Sequence, residues 1–294
     1  MTRLKILTLF MSITVLFWTS SSAVRANDKL RIIVSIVPQK YFVEKIGGDL
    51  VDVSAMVLPG SNPATYGPKP QQMVGLTKAR IYFAVGVPFE KVWLKKFVSV
   101  NPEMTVVHTE DGIEKSSMEV QDSHDEETHH HGIKDPHIWL SPPLVMIQSR
   151  NIFYALTKVD PEHKEAYTEN YKSFIREIVD LDMKIRDVFS GEGEGARFMV
   201  YHPAWGYFAE AYGLKQIPVE IEGKEPKARE LQNLIQYARK EKVKAIFVQP
   251  QFSAKSAHTV AKSIGCRVMY VDPLAINWVE NLLKVAEEFM ASLE

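Results

Sequence analysis

Two α/β lobes, each a mostly parallel sheet flanked by helices and bridged by one long rigid helix, are what this sequence predicts. Three observations carry that fold class. Short β-branched runs alternate with helix-length segments between residues 30 and 108; the same alternation restarts at residue 197; and an unbroken helical stretch, 161–188, lies between them. Strands that alternate with helices form βα units, and their crossovers impose parallel pairing.

Residues 30–37 are a β-branched run ended by Pro38, the pattern of a buried strand. A short helix at 41–46 stops at Gly47-Gly48. Strand 51–58 runs into Pro59-Gly60-Ser61-Asn62-Pro63-Ala64-Thr65-Tyr66-Gly67-Pro68, a loop dense in turn formers. Helix 70–78, strand 81–85, helix 90–98 and strand 105–108 complete the first set, and 144–158 is helical. Asp160-Pro161-Glu162 then offers an N-cap with proline in the first turn. Tyr167, Phe174, Ile178, Leu181, Ile185 and Val188 follow at helical spacing. At 1.5 Å per residue the linker is about 40 Å long, the width of a domain. Gly191, Gly193 and Gly195 end it. The second set is strand 197–201, helix 203–212, strand 215–219, helix 226–240, strand 245–249, helix 254–264, strand 267–272 and helix 278–293. The chain thus divides into a leader (1–26), an N-terminal lobe (27–159) holding a mobile loop at 115–134, a linker helix (160–190) and a C-terminal lobe (191–294).

The leader has Arg3 and Lys5 before an apolar run, 6–18, and ends in Val24-Arg25-Ala26. That is a secretory signal peptide with cleavage after Ala26, too short for a membrane anchor. The single cysteine, Cys266, cannot form an internal disulfide and reads as core. Lys and Arg (35) balance Asp and Glu (36) with no basic block, so nucleic acid is not an expected partner. A soluble, monomeric, disulfide-free exported chain fits a Gram-negative periplasm.

Chemistry concentrates at His124-Asp125-Glu126-Glu127-Thr128-His129-His130-His131 and, just beyond, Asp135-Pro136-His137-Ile138-Trp139-Leu140-Ser141-Pro142. The first half is too polar to pack; the second is stiffened by proline around one imidazole. A flexible multi-imidazole arm beside a fixed one suggests metal handling, since imidazole is the commonest biological metal ligand. The bland alternative is a solvated loop whose histidines have no role. In parallel sheets, ligands bind beyond the carboxyl ends of the strands. His202, Gln249 and Asp272 fall there, each beside a proline (Pro203, Pro250, Pro273), as do His108 and loop 59–67. His137, His202 and Asp272 make an N/N/O set suited to Zn²⁺. Singly, Asp272 is equally an Asp-Pro turn or a helix cap, and His202 a core histidine. Ala64, Tyr66, Trp139, Trp205 and Gln249 are expected to line the pocket; His163 and His258 fall on polar helix faces, solvated.

Taken together, the motifs at 59–66, 135–142, His202-Pro203-Ala204-Trp205-Gly206-Tyr207-Phe208 and Val271-Asp272-Pro273-Leu274 resemble the zinc/manganese solute-binding proteins of bacterial ABC importers, the cluster A-I metal-binding family. The resemblance covers essentially all of the chain after its leader. It implies two α/β lobes on a long helix, a metal ion as cargo, a membrane permease as partner and no catalysis. It also implies that His137, His202 and Asp272 are ligands. Manganese-binding members usually carry Glu where this chain has His202, so the resemblance favours Zn²⁺ over Mn²⁺. The acidic, His-rich loop is likewise typical of zinc members.

One position departs from the pattern. The family's Pro-His-x-Tyr-Glu-Pro reads here Pro63-Ala64-Thr65-Tyr66-Gly67-Pro68, so one imidazole is missing and three ligands remain. The fourth position falls to a loop imidazole (His124, His129, His130 or His131), to water, or to a donor from a chelated metal cargo. Two rival classes stand beside the importer: a zinc hydrolase, because three ligands plus water is catalytic geometry, and a periplasmic zinc chaperone or buffer. No His-Glu-x-x-His motif supports the hydrolase.

Overall fold

The computed structural model describes residues 29–118, 134–191, 195–220, 224, 226–252 and 255–293. The leader, His124 and His129 to His131 lie outside the described residues.

Two four-stranded parallel sheets form the frame. The first contains β1 (Leu30–Val34), β2 (Val51–Ala55), β3 (Ile81–Ala84) and β4 (Thr105–His108) in the order β2-β1-β3-β4. The second repeats that winding with β5 (Arg197–Val200), β6 (Lys215–Pro218), β7 (Ala245–Val248) and β8 (Arg267–Tyr270), in the order β6-β5-β7-β8. All four residues of β3 and of β7 are buried, as expected of strands covered on both faces.

The flanking helices are α1 (Val37–Gly47), α2 (Pro70–Leu76), α3 (Pro88–Val100) and α4 (Pro142–Val159) in the first half. The linker is α5 (Lys164–Val188). The second half carries α6 (Gly206–Ala211), α7 (Ala228–Lys240), α8 (Lys255–Ile264) and α9 (Trp278–Ala291).

Boundaries shift where proline has two readings. Pro38 does not stop a strand; it sits in the first turn of α1, so β1 ends at Val34 and the helix starts four residues early. Pro88 and Pro142 open α3 and α4 in the same way. A proline's fixed φ and missing N–H suit that turn, where the donor would be unpaired anyway. Asp160 gives no side-chain cap. Its carboxylate accepts from the Tyr167 hydroxyl and pairs with the His163 ring at 2.8 Å, while 161–163 form a 3-10 turn ahead of α5. His163 is therefore half-buried and hydrogen-bonded to Asp160 rather than solvated, whereas His258 is exposed as expected.

The buried face of α5 (Tyr167, Phe174, Ile178, Leu181, Ile185) belongs to one core that runs from the first sheet into the second, reaching Phe198, Phe247 and Phe289. Helix α9 joins it: Trp278 stands edge-on to Phe42 with centroids 5.1 Å apart. Two indoles also clasp the halves. The Trp139 N–H donates to the Pro273 carbonyl and the Trp278 N–H to the Trp139 carbonyl, both at 2.7 Å and both buried. The lobes thus share core and hydrogen bonds besides the long helix. A smaller core (Met199, Ile217, Leu234, Val260) lies beneath α7 and α8. Cys266 is half-buried at its edge, not interior, and burial raises its thiol pKa.

Candidate metal centre

β5 ends at Val200 and delivers His202 past the sheet edge. Gln249, just beyond β7, holds that position rather than lining a pocket. Its amide oxygen accepts the His202 N–H at 3.1 Å and its amide N–H donates to the His202 carbonyl at 2.7 Å, with Gln249 fully enclosed. The His202 ring stacks on Phe252 (4.4 Å, 21°), and its Nδ1 meets Glu220 Oε2 at 2.5 Å. Burial, with the neighbouring His137, pushes the His202 pKa below the usual imidazole value, against the upward pull of Glu220.

His137 is fixed by Asp135 two residues before it. Asp135 Oδ1 accepts the His137 backbone N–H at 2.9 Å and meets Nδ1 at 2.6 Å. Asp135 is anchored in turn, its N–H on the Ser116 carbonyl and its carbonyl on the Tyr207 hydroxyl. Its carboxylate comes close to the start of α6. A Cβ at position 206 would stand 3.1 Å from Asp135 Oδ2 and 3.0 Å from Gln216 Nε2, so glycine there admits the approach.

The two rings meet edge to face, with centroids 5.2 Å apart at 73°. Each has Nδ1 on a buried carboxylate, which leaves Nε2 as the free donor atom of the neutral ring. Carboxylate–imidazole pairs of this kind orient metal ligands.

Asp272 follows β8. Its Oδ1 accepts the Gln251 amide at 2.7 Å and the Leu274 N–H at 2.9 Å, so it does make the Asp-Pro turn. Among the described residues, the acid–imidazole group whose donors all lie within 4.8 Å of one another is Asp160, Glu162 and His163; Asp272 is not drawn that close to His137 and His202.

The expected pocket walls fare differently. Trp139 stands 5.1 Å from the His137 ring, but buried and spent on the inter-lobe clasp. Trp205 is core, fully buried and packed edge-on against Phe208 and Phe289. Tyr66 braces its own loop through Gln72 and Phe89. Ala64 is exposed, its N–H on Asn62 Oδ1. His108 is exposed beside Glu110. The loop's base is pinned, with Ser117 and Lys134 bridged and the Ser116 N–H on the Tyr207 hydroxyl.

Glu220, Gln251 and Phe252 were missed in the sequence. The strand-end rule that found His202 also reaches Glu220, two residues past β6, had it been applied there.

A family model described as "Zinc-uptake complex component A periplasmic" matches residues 32–291. The chain is 31% identical over 281 residues to the high-affinity zinc uptake system protein ZnuA of Bacillus subtilis, covering 92% of this chain and 85% of that protein. It is 27% identical to the zinc-binding lipoprotein AdcA of Streptococcus pneumoniae, covering 99% of this chain but spanning only 59% of that relative's length. A crystal structure of ZnuA, 39% identical, superposes with a TM-score of 0.85 over 91% of this chain and all of the other. With the matched model spanning nearly the whole described chain, this protein belongs to the periplasmic zinc-uptake component A family.

Proposed function

We propose that this chain captures Zn²⁺ on the outer side of the cytoplasmic membrane and hands it to the permease of an ABC importer, with His137, His202 and Asp272 as ligands. The observation that carries the reading is the edge-to-face pair of imidazoles, one buried and one mostly so, each held on Nδ1 by its own carboxylate. A pair prepared in that way presents two neutral Nε2 donors, the ligand type zinc prefers. The names of the relatives, a zinc uptake protein and a zinc-binding lipoprotein, support the cargo. The protein is a transport component, not an enzyme. In this reading residues 1–26 are removed on export to the periplasm and the protein works as a monomer. The imidazoles of 124–131 collect metal by multivalent capture and pass it inward.

The test is a zinc competition titration of residues 27–294 beside a variant lacking 119–133. One tight site that survives the deletion is the expected result; loss of tight binding with the loop would put a loop imidazole in the site.

Acid weakens the site in two ways. Imidazole must be deprotonated to bind metal, so zinc affinity falls in acid, and at His202 the loss begins only once the pH passes below its lowered folded-state value. For stability, the lowered pKa means that folded His202 stays neutral while unfolded His202 takes up a proton. Its contribution is therefore complete above the unfolded value and declines as the pH falls from there toward the folded one. Melting temperature followed across that window checks the sign, and zinc affinity that stays flat down to the acid unfolding transition would rule out imidazole ligands.

A further inference from the structure

Tyr207 stands on α6, in the C-terminal half, yet its hydroxyl reaches across to the other half twice. It donates to the Asp135 carbonyl and accepts the Ser116 N–H, each at 3.0 Å, and the residue is buried. Those two partners are themselves paired, the Asp135 N–H on the Ser116 carbonyl at 2.9 Å. One hydroxyl therefore joins the two feet of the segment whose sequence carries His124 and His129 to His131.

Asp135 is left with little freedom. Its N–H and its carbonyl are both engaged, and Pro136 restricts the backbone that follows. Its carboxylate lies against Gly206, the residue before Tyr207, where a Cβ would stand 3.1 Å from Oδ2. The other oxygen, Oδ1, meets the His137 backbone N–H and the ring Nδ1. Two adjacent residues at the start of α6 thus border the main chain and the carboxylate of the group that sets the His137 ring. The hydrogen bond on one ring nitrogen decides which nitrogen carries the proton, so a displaced carboxylate would loosen both the direction of the ring and its tautomer.

We propose that Tyr207 is a positioning residue for the cargo site: its hydroxyl holds Asp135, and through it the His137 ring, in the tautomer and direction that present Nε2. The inference rests on the zinc reading above, in which His137 is a ligand. The competing account is that the hydroxyl only ties the two halves together. The same helix supplies the comparison, because Tyr212 at its C-terminal end is also buried and donates to Asp182 Oδ1 on α5 at 3.0 Å.

Tyr207→Phe keeps the ring and removes only the hydroxyl, and Tyr212→Phe does the same at the comparison position. Nitrogen NMR of the histidine rings in the metal-free protein, at a pH where they are neutral, is read beside competitive zinc titration, with melting temperature as the folding control. In the natural chain His137 carries its proton on Nδ1. Tyr207→Phe is expected to mix the two tautomers and to bind zinc about tenfold more weakly, the lower end of what loss of an outer partner costs, while Tyr212→Phe changes neither. The same loss is expected in a chain that also lacks 119–133. Unchanged His137 signals or unchanged affinity in folded Tyr207→Phe, an equal loss in Tyr212→Phe, or a loss that disappears with 119–133 overturns the proposal and leaves zinc capture standing. His137 protonated on Nε2 in the natural chain overturns it without any variant. A natural chain that binds no zinc overturns the zinc reading and, with it, the cargo role of Tyr207.

Discussion

Zinc affinity falls by more than about 100-fold when His202 is replaced by alanine, a loss larger than removal of an orienting partner brings. The variant should fold, because His202 ends a strand instead of filling the core and its backbone clasp with Gln249 needs no side chain. Removing the ring takes away one of two nitrogen donors and leaves the Glu220 carboxylate buried without its imidazole. A buried carboxylate that loses its partner is costly, so a moderate drop in melting temperature accompanies the loss of metal. Competition titration with a chromophoric chelator reads the affinity and circular dichroism the fold. Tight zinc binding retained in this variant would place the site elsewhere.

The second large effect is on stability. Trp278→Ala costs about 3–5 kcal/mol, the range for removing a large aromatic from a core. The indole is buried in the continuous core, edge-on to Phe42, and its N–H satisfies the Trp139 carbonyl. Trp278→Phe keeps most of the volume and loses the hydrogen bond, so it should cost about 1 to 3 kcal/mol through the unsatisfied carbonyl. Urea unfolding separates the two variants. Trp139 is both the acceptor in this clasp and the neighbour of His137, so Trp278→Ala should also weaken zinc binding without touching a ligand. An unfolding midpoint unchanged in Trp278→Ala would mean that the inter-lobe clasp contributes nothing to holding the two sheets together.

The parts of this fold legible in the sequence are those that local pattern controls. Alternation exposed both sheets because a parallel strand buried on both faces must be a continuous apolar run, as in β3 and β7. The amphipathic face of α5 was readable residue by residue. Long-range contacts were not. Nothing near Trp278 announces that α9 reaches back to Phe42, and nothing near Trp205 announces that its ring turns away from the crevice.

The site divides along the same line. His137 and His202 stood out because each lies in a rigid, proline-flanked segment, and the structure sets their rings 5.2 Å apart. Their Nδ1 partners were not: Asp135 stood in view with no role assigned, and Glu220 lies 18 residues from the ring it orients. Gln249 was placed at the right strand end and given the wrong job, because a side chain that clasps a backbone and one that faces a ligand have the same local sequence.

X-ray absorption at the zinc edge, on residues 27–294 loaded with one equivalent of zinc, tests the central claim most directly. Two imidazoles with the remaining donors oxygen is the expected first shell. A single imidazole, a sulfur donor, or a shell of oxygens without nitrogen would contradict a cargo site built on His137 and His202.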